Sequence, residues 1–204
     1  MPPIELTPQE QLDDLMQEGY ALLDAGQRAA ACDRWLETWE MIKRMATPEM
    51  RTVTAFDDAY PGMMQCVFNW CSDLEMELHN AGLDDPIYHD HRQRYAREFL
   101  AQFPAEDADR YIQFTRAQGE GLWNLGRRAE AEAAYEALVQ RFPDEGWGHI
   151  GWSDCYWLWG APDPKEYDKG KAILQRGLAQ PNLSDRSDVL DRLTDLLGAS
   201  APKL

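Results

Sequence analysis

Gly119-Glu-Gly-Leu122-Trp-Asn-Leu-Gly126-Arg-Arg-Ala-Glu-Ala131-Glu-Ala-Ala-Tyr135 decides the fold, because its pattern is laid down twice. Gly19, Leu22, Gly26, Ala31 and Trp35 occupy the same relative positions as Gly119, Leu122, Gly126, Ala131 and Tyr135, every pair displaced by 100 residues. Small residues at 19 and 31, or 119 and 131, let two antiparallel helices approach closely while the aromatic at 35 or 135 fills the space between them. The glycine in the middle supplies the positive φ that a tight turn needs. Each stretch therefore predicts a helical hairpin.

Working outward, helix signals recur almost everywhere, and no alternating run of β-branched residues is bounded by hairpin turns. Thr7-Pro8-Gln9-Glu10 offers an N-cap hydroxyl, a proline where a missing N–H costs nothing, and a glutamate placed to complete a capping box. Asp163-Pro164-Lys165-Glu166 repeats that start signal, and Thr47-Pro48 and Asp85-Pro86 give shorter versions. Gly26, Gly82 and Gly126 read as helix ends. The fold class is all-α.

The spacing of small residue, large residue, turn glycine, alanine, aromatic and closing proline, here Pro143, resembles the tetratricopeptide repeat (TPR). Trp147-Gly-His-Ile150-Gly151 is similar to the opening of a further unit, whose turn is stretched through Gly160-Ala-Pro-Asp-Pro164. Cys71 to Asn80, Gly82, and Pro86 to Phe103 before Pro104 form a hairpin of the right length with few consensus residues. The resemblance implies a right-handed superhelical solenoid of about four TPR-like hairpins, at about 9–44, 62–103, 106–142 and 145–180, with a capping helix at about 184–197 and an insertion at about 46–61. One domain over 1–204 is expected. The phrases Trp70-Cys-Ser-Asp-Leu-Glu-Met-Glu-Leu-His-Asn-Ala-Gly82 and Gly146-Trp-Gly-His-Ile-Gly-Trp-Ser-Asp-Cys-Tyr-Trp157 resemble a bacterial TPR-like group that often ends in a zinc-binding SEC-C motif. This sequence ends in Ser200-Ala-Pro-Lys-Leu204, without those cysteines, so no zinc function is carried over.

Twenty basic residues stand against 36 acidic ones, a formal charge of −16, which repels phosphate backbones and anionic membranes and excludes direct nucleic-acid binding. No signal peptide is evident, and no apolar run reaches the roughly 20 residues of a membrane span. A cytoplasmic protein is expected. Cys32, Cys66, Cys71 and Cys155 are scattered, and on a shared helix Cys66 and Cys71 would sit more than about 7 Å apart, which favours reduced thiols.

In such a solenoid the first helix of each hairpin lines the concave surface, so repeat position nominates partner-binding residues. These are Met76, His79 and Asn80 from the second hairpin, Arg116, Glu120, Trp123 and Asn124 from the third, and Trp152 and Tyr156 from the fourth. Trp, Tyr and Arg anchor interfaces, but the same aromatics equally serve as filler between irregular hairpins, and Trp35 and Trp147 read as core. The lysine, asparagine and arginine set with which chaperone-binding TPR domains clamp a terminal carboxylate is not reproduced: Arg116 and Asn124 are isolated, and Asp24 and Glu120 sit where cations are wanted. A basic or apolar peptide or protein suits this surface better.

An enzyme would have to draw on Asp57, Asp58, His89, His91 and the cysteines. On a helix His89 and His91 point about 200° apart, which does not suit one metal, and Asp85 is needed as a cap before Pro86. No Gly-rich phosphate loop, nucleophile elbow, H-E-x-x-H or C-x-x-C is present, so neither a catalytic nor a metal residue is assigned and no cofactor is expected. The leading expectation is a non-catalytic protein-interaction scaffold or adaptor. Two other classes stay open: an acidic neutralising partner of a basic protein, such as an antitoxin, inhibitor or chaperone, and a metal-dependent enzyme whose site is assembled across helices.

Overall fold

A computed structural model describes residues 6–159 and 166–200. Among the described residues there are ten helices and no strand. The chain divides into two compact units, residues 1–106 and 107–204. The first holds α1 (Pro8–Asp24), α2 (Arg28–Met45), α3 (Val53–Ala59), α4 (Val67–Gly82) and α5 (Ile87–Gln102), and the second α6 (Ala108–Asn124), α7 (Arg128–Arg141), α8 (Gly146–Trp157), α9 (Tyr167–Leu178) and α10 (Arg186–Ser200). Among the described residues no helix is long and apolar enough to cross a membrane.

The doubled stretch forms two like hairpins, α1 on α2 and α6 on α7. Gly26 and Gly126 take φ of 73° and 74°, as the turn requires. The Gly26 and Gln27 amides donate to Leu23 and Leu22, and those of Gly126 and Arg127 to Trp123 and Leu122, so the turn bonds keep the 100-residue register. A Cβ on Gly19 would lie 1.9 Å from the Trp35 indole nitrogen, and one on Gly119 would lie 2.5 Å from the Tyr135 ring. The register extends to bonds that the pattern did not foretell. Trp35 Nε1 donates to the carbonyl of Met16 at 3.0 Å, and the Tyr135 hydroxyl donates to that of Arg116 at 3.3 Å.

Helix starts and stops follow the local chemistry except at Thr47. Thr7 makes the expected capping box with Glu10, and the Asp85 carboxylate accepts the Ile87 amide at 3.1 Å. Thr47-Pro48 belongs to a turn, and the nearby cap is Thr52, whose hydroxyl accepts the Ala55 amide ahead of α3. Gly82 is the last residue of α4 and has no positive φ; it is small because His89 lies against it, its Nδ1 2.4 Å from where a Cβ would stand. Trp147, read as core, is 38% exposed. The turn Gly160–Pro164, the start signal at Asp163-Pro164-Lys165, and residues 201–204 of the chain end lie outside the described residues.

The insertion is tied down at both ends. Val53 N donates to Glu106 Oε1 at 2.5 Å and Ala105 N to Arg51 O at 3.0 Å, while Asp57 of α3 accepts the amides of Val67 and Phe68 at 2.8 and 3.0 Å. Those are the first amides of α4, whose own N-cap, Cys66, contributes no side-chain bond. A carboxylate there satisfies two orphan donors and opposes the positive end of the helix dipole. Asp57→Ala is therefore expected to cost about 1–2 kcal/mol in urea unfolding, with Asp58→Ala, at an exposed neighbour, nearly neutral. Equal losses at the two positions would refute the cap.

The core of the first unit is aromatic: Trp35, Trp39, Trp70, Tyr95, Phe99 and Phe103 are all buried, with edge-to-face pairs such as Trp39 on Tyr95 at 5.1 Å. In the second unit α10 covers the end of the α8/α9 hairpin, burying Val189 and Leu196 against Ile150, Trp157 and Leu174.

Candidate functional site

The second unit carries the larger cleft. Asp109, Ile112, Gln113 and Arg116 follow an i, i+3, i+4, i+7 stripe along α6, and with Glu145 and Trp147 at the start of α8 and Ser184 and Asp185 ahead of α10 they line a space of about 570 Å³. Asp107 fixes the start of α6 by accepting the Arg110 amide at 2.9 Å. Ser184 holds the far wall: its amide donates to the Asp144 carbonyl at 2.8 Å, and its hydroxyl lies 2.8 Å from Glu145 Oε2 and 3.2 Å from Asp185 Oδ2.

The Arg116 guanidinium lies 5.0 Å from the centroid of the Trp147 ring. Among the described residues no carboxylate comes within ion-pair distance of it, and no basic side chain pairs with Asp109, Glu145 or Asp185. The cleft thus combines one half-exposed indole, one guanidinium and three carboxylates free of cationic partners. Such a lining can bind and orient a segment of mixed apolar and charged character.

Beneath it α8 is buried along its length except at Trp147. Asp154, 2% exposed, stands 3.5 Å from Arg192 of α10. Burial pushes its carboxyl up to about 6, against the pull of the Arg192 and Arg116 guanidiniums, with Glu120 and Asp195 pushing the same way as burial. Burial likewise holds His149 neutral by lowering its pKa. It also pushes the thiols of Cys32 and Cys155 up to about 12, so both are protonated and poor nucleophiles at neutral pH.

A smaller cleft of about 310 Å³ lies between α2 and α5 in the first unit, among Asp33, Glu37, Glu40 and Glu98. Its acids are already engaged. Glu37 pairs with Arg34, Glu40 and Glu98 with Lys43, and Asp33 accepts the Tyr88 hydroxyl.

Of the nominated residues, Arg116 lines the larger cleft, whereas the aromatics turn inward. Trp123 is 6% exposed, against Tyr156 at 4.8 Å and beneath Arg128. Trp152 stacks on Tyr135 at 6.4 Å, and the Tyr156 hydroxyl donates to Glu132. All three belong to the core, because α7 and α9 lie over the face of α6 and α8 that carries them. Glu120 and Asn124 are half-buried and outside the cleft lining. In the first unit, Met76 is exposed on α4, with His79 and Asn80 half-buried beside it and Asn80 donating to Glu77 at 3.2 Å. Phe68 and Leu83 are exposed near the two ends of that helix.

The residues considered for an enzyme are dispersed. Asp57 caps α4, Asp58 is exposed, His89 is buried against Gly82, and His91 lies beside Tyr88 at 5.7 Å. Among the described residues no group of three or more His, Cys, Asp or Glu side chains is placed to hold a metal ion.

Sequence reasoning missed Trp147, Asp109, Gln113, Glu145, Ser184 and Asp185. The α6 stripe was legible from its spacing, whereas Glu145 and Asp185 are far apart in sequence and meet only through Ser184. No protein-family model matches this chain, and no curated protein matches it either.

Proposed function

We propose that this chain is a non-catalytic scaffold or adaptor built from TPR-like hairpins, which binds a partner protein or peptide through surfaces on the first helices of its hairpins. The observation that carries the reading is the cleft along α6, where the exposed Trp147 stands among carboxylates that, among the described residues, have no cationic partner. The paired hairpins with a shared register support the repeat assignment. On α4, Met76 is exposed beside the half-buried His79 and Asn80, with Phe68 and Leu83 exposed near the two ends of the helix, and these offer a second contact surface. Unbridged cysteines suit a cytoplasmic setting.

Affinity capture of the tagged chain from its native cytosol tests this. A discrete protein partner is expected at physiological salt, and Trp147→Ala should cut its retention about tenfold or more, the effect of removing an interface anchor. Circular dichroism of the variant checks that it folds. Capture of no protein overturns the reading. A partner that Trp147→Ala still holds but that salt alone strips points instead to an acidic neutralising protein, which the net charge of −16 would serve.

A further inference from the structure

We infer that the α6–α8–α10 cleft takes a basic segment of a partner protein, with a lysine or arginine side chain lodged between Glu145 and Asp185 and an adjoining apolar side chain laid against Trp147. The inference rests on the adaptor reading and assigns the chemistry of its partner.

Charge accounting within the molecule carries it. With Asp109, Glu145 and Asp185 against Arg116, the lining holds a net −2, and among the described residues these acids have no cationic counterpart. The Ser184 hydroxyl lies 2.8 Å from Glu145, 3.1 Å from the Asp144 carbonyl and 3.2 Å from Asp185 but has a single proton, so it leaves at least one of the two carboxylates with an unmet demand. The cleft between α2 and α5 shows what this chain does with acids that are merely structural or solvating: Lys43 alone is shared by Glu40 and Glu98 there. Although only 20 basic residues face 36 acidic ones, Lys43 is spent on the acids of that wall, whereas Arg116 on the other lies over Trp147 and pairs with none of its acids. An incoming cation meets two acceptors set in place by Ser184, beside an indole that excludes water and adds apolar contact. The chain's overall negative field speeds the approach of such a segment.

The probe is a fluorescein-labelled dodecapeptide of alternating arginine and leucine, followed by anisotropy at low salt, with an alternating glutamate and leucine peptide as control. The wild-type chain should bind the first peptide and not the second. Glu145→Gln/Asp185→Asn should weaken binding about tenfold or more, whereas Glu37→Gln/Glu40→Gln on the other cleft should change it less than about twofold. No binding by the wild type, equal weakening in both double variants, or displacement by spermidine as readily as by unlabelled peptide would each overturn the assignment. A cytosolic partner that the Glu145→Gln/Asp185→Asn variant retains in full also removes the basic-segment assignment while leaving the adaptor reading intact. A chain that captures no protein removes the adaptor reading itself.

Discussion

Gly19→Ala is expected to destabilise the first unit by about 3 kcal/mol in urea unfolding, although alanine is the better helix former by about 1 kcal/mol. The added methyl would sit 1.9 Å from the Trp35 indole nitrogen, where no rearrangement of a flexible tip can relieve it. The indole is fully buried, is held by its bond to the Met16 carbonyl, and packs edge-on to Tyr20 at 4.8 Å and to Trp70 at 6.1 Å. Trp35→Ala alone should cost about 3–5 kcal/mol through the cavity it leaves. With that cavity present the clash vanishes, so adding Gly19→Ala to Trp35→Ala should restore up to about 1 kcal/mol. The sign reversal is the test. If Gly19→Ala destabilises equally with tryptophan or alanine at position 35, close helix approach is not what the glycine is for.

Arg92→Leu is expected to cost about 3–5 kcal/mol, because it strands a buried carboxylate. Arg92 and Glu75 are 6% and 8% exposed, and Arg92 Nε and Nη2 lie 2.7 and 2.5 Å from Glu75 Oε1. Most of that cost is the desolvation of an unpartnered charge, not the worth of the pair. The double variant Arg92→Leu/Glu75→Leu should therefore recover the larger part of it, as replacement of a whole buried pair by apolar side chains often does. Chemical denaturation of the three variants decides the matter, and a double variant no more stable than Arg92→Leu would refute the account.

The hairpins were legible in the sequence because their determinants are local and repeated. The glycine turn, the small residues at the crossing and the aromatic that fills it all lie within 17 residues of one another, and Thr7 signals its own helix start. The cleft was legible only along α6. Repeat position nominated Trp123 and Trp152 but could not tell which flank of a helix its neighbours would cover, and α7 and α9 cover theirs. Trp147 carries the same side chain with the opposite fate, because it sits in the first turn of α8 at the edge of that packing. Asp57 was weighed as a catalytic acid, since a cap donated from another helix leaves no spacing to read. Glu145 and Asp185 likewise meet only because Ser184, the sequence neighbour of Asp185, reaches Glu145 from 39 residues away.

The insertion matters to anyone who would idealise this chain. Residues 46–61 stand between the α1/α2 and α4/α5 hairpins and invite deletion by a designer seeking a shorter chain. Their Asp57 closes the front of α4, and Val53 and Arg51 bond to the segment that follows α5. Excising them would remove a keystone, and a trimmed version would need a new acidic or hydroxyl residue at position 66 before its second hairpin could stand unaided.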